Sequence, residues 1–352
     1  MTVAAARVYD ERPLESLARA AHDDPSVGPG PRRRLREVAE LLADVLPKLE
    51  AALLVATEGP RPLDEATRNL VGAGGKRVRP LTALLVANAC GGDTTRALPL
   101  AAAAELVHSA TLLHDDVIDE GEVRRGRPAS RVRFGNLVSV LAGDWLLVRA
   151  LELVQESGVP GAMPDLLGTL RALVGGEVAQ MEARGRDDLG VEGYLRIVEG
   201  KTASLFAFAC RAGARSASAR APVVEAAGRF GSHVGIAFQI VDDVLDLEGD
   251  PERVGKRLGA DLGEGKTTLP LALALMEDAA RLAALLPAAR AGDAEAARQV
   301  ARLPSVREGC ARARAYAAER SAAARRELEA LPAGPARELL GGVVVELVDR
   351  RA

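Results

Sequence analysis

The 352 residues predict an all-helical protein, a single large bundle around a central apolar cavity. Three observations lead there. No segment alternates polar and apolar residues at period two. Aromatic residues are only 3% of the chain, while Ala, Leu, Arg, Glu and Val dominate, a composition that favours helix over sheet. Two long apolar runs at helical spacing each end in the same acidic pattern, Asp-Asp-x-x-Asp, at Asp115-Asp116-Val117-Ile118-Asp119 and at Asp242-Asp243-Val244-Leu245-Asp246.

Taken in order, residues 1–33 carry Gly28-Pro29-Gly30-Pro31 and an arginine run and read as a mobile extension. Residues 34–352 read as one helical domain. Apolar positions from Leu35 to Leu49 recur at helical spacing, so a helix is expected over 34–57. Arg61-Pro62-Leu63 opens another. Gly72-Ala73-Gly74-Gly75 breaks the chain before Lys76-Arg77-Val78-Arg79-Pro80, where Pro80 suits a first helical turn. Helices are expected over 81–90 and 97–119, both apolar and alanine-rich as if buried on most sides. A polar loop follows at 120–128. Further helices are expected over 134–156, 162–183, 191–213, 221–247, 267–289, 293–301, 305–330 and 334–349. Gly249-Asp250-Pro251 and the glycines up to Gly265 mark one long loop.

Composition excludes some functions. Lys and Arg number 46 against 49 Asp and Glu, so nothing points to nucleic acid. Cys90, Cys210 and Cys310 lack metal spacing and read as buried thiols of a reduced, cytoplasmic protein. No apolar run reaches the length of a membrane span, and the N-terminus lacks the pattern of a signal peptide.

The acid clusters carry the chemistry. On a helix Asp115 and Asp119 lie on one face about 6 Å apart along the axis, with His108, Thr111 and Ala104 in the same stripe. Gly235, Gln239, Asp242 and Asp246 share a face in the same way. Stacked carboxylates repel each other, and carboxylates beside buried surface need partners. Magnesium accepts one or two carboxylates together with phosphate oxygens. The expectation is therefore two clusters facing one cavity and holding Mg2+ against a diphosphate. Basic residues answer the acids nearby: Lys76 and Arg79, Arg124 and Arg125, Lys201 beside Thr202, and Lys256 and Lys266. Residues 260–267 fit a relaxed P-loop pattern. A P-loop follows a buried strand, and here a polar glycine loop precedes the pattern, so nucleotide hydrolysis is not expected. His114 points about 100° off the acid stripe and reads as packing, and His233 is isolated.

In order along the chain, GGKRVRP, LLHDDVIDE with RRGRP, FGN with LAGDWLL, GKTASLF, FQIVDDVLD and GKRLGADLGEGKTTLP resemble the trans-isoprenyl diphosphate synthases, the polyprenyl synthetase family, over about residues 35–350. The resemblance implies the isoprenoid synthase fold and a prenyltransferase. Three Mg2+ would be held by Asp115, Asp119 and Asp242, with Asp116, Asp243 and Asp246 in support. Lys76, Arg79, His108 and Arg125 would hold isopentenyl diphosphate. Arg124, Lys201, Gln239, Lys256 and Lys266 would hold the allylic diphosphate, farnesyl or geranylgeranyl diphosphate. Thr202 falls where the family kinks a helix and points a carbonyl at the reacting carbons. Val244 replaces the Phe or Tyr frequent in the second motif, and His108 stands where short-chain members carry glutamine.

Short-chain members block the tail with an aromatic residue four or five positions before the first motif. Here those positions are Ala110 and Thr111, with Val107, Ala104 and Ala103 below. By comparison with those members, the open path down the helix implies a long all-trans product of about seven to ten isoprene units. Leu137, Leu141, Trp145 and Met181 are candidates for its floor. The alternatives are a product of 15–20 carbons, a class I terpene cyclase, or a regulatory subunit of a heteromeric synthase. The resemblance also implies a homodimer, and so apolar a product implies transient contact with a membrane surface.

Overall fold

The computed structural model describes residues 36–125, 127–248 and 259–348. The extension at 1–33, Gly249-Asp250-Pro251 and Lys256 lie outside the described residues.

A helical stretch at 36–41 leads through a turn at 42–45 into α1 (Leu46–Ala56), so the single helix expected over 34–57 is two. Pro47 stands in the first turn of α1, where the missing N–H costs nothing. α2 (Leu63–Val71) and α3 (Val78–Ala89) flank the glycine break. α4 (Thr94–Ile118) starts three residues before the expected position, because the Asp93 carboxylate caps the Thr95 N–H at 2.8 Å. The loop expected at 120–128 contains a small hairpin, β1 (Val123–Arg124) against β2 (Arg127–Pro128). α5 (Ser130–Phe134) and α6 (Asn136–Glu156) split the helix expected over 134–156 at Gly135, whose φ of 86° belongs to the left-handed region. α7 (Ala162–Ala183) has the expected bounds.

α8 (Gly190–Val198) and α9 (Ser204–Ser216) are joined through a π turn at Glu199–Ala203. α10 (Ala221–Glu248) carries the second acid motif. A short α11 (Ala260–Gly263) interrupts the long glycine loop. α12 (Leu269–Arg290), with non-helical backbone at Asp278, then α13 (Ala294–Arg302), α14 (Pro304–Leu328) and α15 (Pro335–Val348) complete the chain.

α4 packs along α6, α9 lies between α3 and α10, and α10 lies between α9 and α14. Two apolar clusters result. The larger includes Leu84, Leu100, Leu113, Phe206 and Phe230, and the smaller includes Ile240, Val244, Leu271, Leu282 and Val306. α10 belongs to both, its first half to the larger cluster and its second half to the smaller.

Two close crossings fix the π turn. A Cβ on Gly176 of α7 would stand 2.4 Å from Lys201 N, and one on Gly235 of α10 would stand 2.6 Å from the Ala203 Cα. Only glycine lets both helices approach this backbone so closely. Beneath the break before α3, Arg77 is buried with a left-handed φ of 46°. It donates to Glu50 at 2.9 Å, Glu105 at 2.8 Å and the Val71 carbonyl at 2.9 Å. Paired on three sides, it anchors the loop that carries Lys76 and the first turn of α3, which carries Arg79.

Candidate active site

Both acid motifs lie at the C-terminal ends of long helices, α4 and α10, and neither last turn carries a basic residue. The helix dipole adds partial negative charge there. Asp119 is the residue that ends α4, its N–H donating to the Asp115 carbonyl at 2.8 Å.

Cations from three other elements meet the first motif. Lys201 Nζ, in the π turn, is 3.9 Å from Asp115 Oδ2 and is held by Glu177 at 2.5 Å and Gln180 at 2.7 Å. Arg184 pairs with Asp119 Oδ1. Lys266 Nζ is 3.7 Å from Asp119 Oδ2 and 3.7 Å from Asp261 Oδ1, and also pairs with Glu264. Burial pushes the Asp115 carboxyl up to about 6, and Glu177 and Asp119 add to the rise against Lys201 and Lys266. Asp116 turns the other way. It is buried and accepts two hydrogen bonds from Arg124, at 2.6 and 2.9 Å.

The second motif is held differently. Asp243 is buried, accepting Tyr194 O–H at 2.6 Å and Gln239 Nε2 at 2.8 Å. Desolvation drives its carboxyl upward, with Asp261 and Asp242 adding to the shift. Thr202 Oγ1 donates to Gln239 Oε1 at 2.9 Å, which ties the π turn to this motif. Asp246 is buried and accepts the Asp261 N–H at 3.2 Å. Asp242 is exposed. The chain Asp119, Lys266, Asp261, Asp246 therefore links the two motifs, as Lys201 beside Thr202 does a second time.

Asp116 and Asp243, expected in support of the metal set, both meet protein donors: Asp116 Oδ1 takes both bonds from Arg124, and Asp243 uses one oxygen on Tyr194 and the other on Gln239. Asp115, Asp119 and Asp242 are the carboxylates that could hold a cation, Asp119 in exchange for Arg184 and Lys266, which now occupy its two oxygens. Their chemistry fits a hard divalent ion: oxygen donors, a burial-strained Asp115 and helix C-termini behind them. Among the described residues no three carboxylate, imidazole or thiol groups form a ready-made cage. Magnesium, which takes few carboxylates and completes its shell with water and phosphate oxygen, suits such an open set.

A positive enclave lies nearby. Arg79 stacks its guanidinium 4.6 Å over the Phe206 ring, and its Nε is buried with no hydrogen-bond partner. Burial lowers its pKa to about 10; Glu105 and Asp242 oppose that shift and Arg125 adds to it. Arg125 donates to the carbonyls of Leu70 and Gly74 and lies against Gly75. His108 is driven well below its ordinary range by burial and then by Arg79, Arg125, Arg124 and Arg77. Lys76 is exposed beside them. Crowded guanidinium groups with an orphan N–H are a site in want of an anion.

Ala103, Ala104, Val107 and Ala110 are fully buried on α4, and Thr111 is half-buried with its hydroxyl on the His108 carbonyl at 2.8 Å. The floor candidates are corrected. Leu137 is 74% exposed, Leu141 44% and Met181 58%, so they face outward from α6 and α7. Trp145 instead packs on Gly59. His114 sits against Gly143, its Nε2 at 3.1 Å from the Val140 carbonyl. Sequence reasoning missed Glu177, Gln180, Arg184, Tyr194 and Asp261. Glu177 and Gln180 are three apart on one face of α7, a spacing that was available as a signal. The others carried none.

The polyprenyl synthetase family profile matches residues 60–303. The chain belongs to the polyprenyl synthetase family. It is 40% identical over 292 residues to a nonaprenyl diphosphate synthase of Mycobacterium tuberculosis, covering 82% of this chain and 87% of that one. It is 40% identical over 251 residues to the heptaprenyl diphosphate synthase component 2 of Geobacillus stearothermophilus, 71% of this chain and 78% of the relative. Among solved structures it is similar to a polyprenyl synthase from Caulobacter crescentus complexed with calcium and isoprenyl diphosphate. That match has a TM-score of 0.84 at 35% identity and covers 90% of this chain and 98% of the other. The all-helical architecture is that of these synthases, and the family's activity is prenyl transfer between diphosphates.

Proposed function

We propose that the chain condenses an allylic diphosphate with isopentenyl diphosphate, head to tail, to a long all-trans polyprenyl diphosphate. The observation that carries this reading is the pairing of two unlike anion sites. Metal-free guanidinium groups at Arg79 and Arg125 adjoin carboxylates that need divalent cations. One diphosphate fits the first, and a metal-bound diphosphate fits the second. A cyclase has no use for the former.

Asp115, Asp119 and Asp242 would hold magnesium, three ions in all by family resemblance, and bound magnesium supplies positive charge against the leaving diphosphate. Lys201 and Lys266 add fixed positive charge on the same side, with Gln239 to orient. Arg79, Arg125, His108 and Lys76 would hold isopentenyl diphosphate. The allylic C–O bond breaks and diphosphate departs. The double bond of isopentenyl diphosphate attacks the allylic carbon. A proton then leaves the carbon next to the new cation, taken by the departing diphosphate, and restores a double bond. Thr202 lies in a π turn with its hydroxyl on Gln239, which supports the family role of a carbonyl turned toward the reacting carbons. Buried Ala104, Val107 and Ala110 keep water from the cation. Their small size supports a long product, about 35–50 carbons over several helical turns.

The test is incubation with farnesyl diphosphate, labelled isopentenyl diphosphate and Mg2+, with products resolved by chromatography. Long-chain label supports the reading, and a cyclic hydrocarbon from the allylic substrate alone overturns it. The relative named as component 2 favours a second reading, one member of a heteromeric synthase. Silence alone with activity restored by a second protein would select it.

We also infer a homodimer through the apolar outer faces of α6 and α7. Leu137, Leu141 and Val148, with Val174, Val178 and Met181, leave a broad apolar surface in water. Sedimentation of a Val174→Glu variant as a monomer would support it. No helix among the described residues is long and apolar enough to cross a membrane. Free Cys90, Cys210 and Cys310 support work in the cytoplasm, with passing membrane contact to discharge the product.

A further inference from the structure

One basic side chain enters this site without having been assigned to it by motif or resemblance. Arg184 follows the last residue of α7 and reaches Asp119 Oδ1. Lys266 approaches the other oxygen of the same carboxylate, Oδ2, at 3.7 Å. Two cations thus share one aspartate, one on each oxygen.

The loops that carry them are stitched together. Gly185 N–H donates to the Gly265 carbonyl at 2.9 Å, and Thr267 Oγ1 donates to the Arg186 carbonyl at 2.8 Å. Behind them Arg290 donates to the Gly185 carbonyl at 3.2 Å and to Asp187 at 2.7 Å. The backbone just after Arg184 is therefore pinned to the Lys266 loop, and the side chain is held toward the site by Asp119 alone among the described residues. Its Nε is buried and has no hydrogen-bond partner. A single carboxylate oxygen leaves most of the five-donor guanidinium fork unused.

We propose that Arg184 is a further diphosphate-binding residue, stored on Asp119 in the metal-free enzyme and released to the substrate when divalent cations take that carboxylate. The inference rests on the prenyl-transfer reading above. A divalent ion on Asp119 repels a guanidinium at hydrogen-bond distance. The anion then within reach is the diphosphate beside Lys266. Arginine grips phosphate through two parallel hydrogen bonds, which would also occupy Nε. Arg184 would so neutralise the site when empty and hold substrate when loaded.

The test uses the full chain and two variants, Arg184→Ala and Arg184→Lys, with calorimetric titration of inorganic diphosphate in the presence of Mg2+ and of Ca2+ alone. The expected results are diphosphate affinity weakened about tenfold or more in R184A and partly restored in R184K. Ca2+ affinity without diphosphate should be at least that of the wild type, because a competitor has gone. KM for the allylic substrate should rise while KM for isopentenyl diphosphate holds, a split that a merely structural role would not give. Diphosphate affinity equal to wild type, or weaker Ca2+ binding in R184A, overturns the proposal. R184K keeps the charge and decides the matter if R184A does not fold. Wild-type protein that neither binds diphosphate nor elongates would count against the prenyl-transfer reading itself.

Discussion

The two acid motifs share a pattern of residues but not a way of keeping negative charge next to apolar surface. The first meets it with counter-charge: Arg124, Arg184, Lys201 and Lys266 converge on Asp115, Asp116 and Asp119. Among the described residues the second takes hydrogen bonds from neutral donors: Tyr194 and Gln239 on Asp243 and a backbone N–H on Asp246, with Asp242 exposed. A motif therefore fixes which atoms are present and not how each is used. The middle aspartate of both copies is a brace, and the outward ones are the candidates for chemistry.

The largest expected effect lies in that division. Asp115→Asn should lower kcat by about a thousandfold, the scale of losing a main transition-state contact. Asp243→Asn should cost divalent affinity only about tenfold, the scale of a supporting partner. Metal titration and steady-state rates read both. Equal losses in the two variants would break the contrast.

The walls below the motifs differ as well. Ala110 and Thr111 precede the first by five and four residues, whereas Phe238 precedes the second by four and lies against Phe206, ring centres 5.8 Å apart. Putting Phe at Ala110 or Thr111 would make the first wall as bulky as the second. Products should then shorten to about 15–20 carbons, since a packed wall cannot yield that volume. Unchanged products on chromatography would refute the path along α4.

Acidity sharpens the contrast further. Burial lifts the Asp115 carboxyl to about 6, above the ordinary aspartate value of 3.8. Protonation thus favours the folded metal-free chain fully below 3.8, and the benefit is lost as pH rises through 6. Magnesium competes with that proton. Its affinity, and the rise in Tm it gives, should be largest above pH 6 and fall below it. Affinity flat between pH 5 and 7.5 would contradict the assignment of Asp115.

The smallest effect is expected at His108. Burial among four guanidinium groups keeps it neutral near pH 7, so His108→Gln exchanges one neutral hydrogen-bonding group for another. KM for isopentenyl diphosphate should change by roughly two- to tenfold. Diphosphate binding should raise the His108 pKa, read by NMR titration.

Much of this was legible in the chain. The helices follow from periodicity, and the order of the motifs with the roles of Lys201 and Lys266 from the family resemblance. What escaped has identifiable causes. Gly135 breaks a run that periodicity alone joins, and the cap at Asp93 lengthens α4 beyond its apolar stripe. Leu137, Leu141 and Met181 look interior because an apolar residue does not say whether its own chain or another copy covers it. Arg184, Tyr194 and Asp261 answer aspartates that lie 65, 49 and 15 positions away in sequence, respectively. Contacts of that kind belong to the fold.

The π turn at Glu199–Ala203 carries a consequence for the design of variants. Five residues there occupy the place of a regular turn, so α8 and α9 are out of phase by about 100°, one residue's worth of rotation. Deleting a single residue would yield a more orderly rod and a dead enzyme, because Lys201 and Thr202 would swing away from their aspartates while every downstream side chain of α9 turned out of its groove.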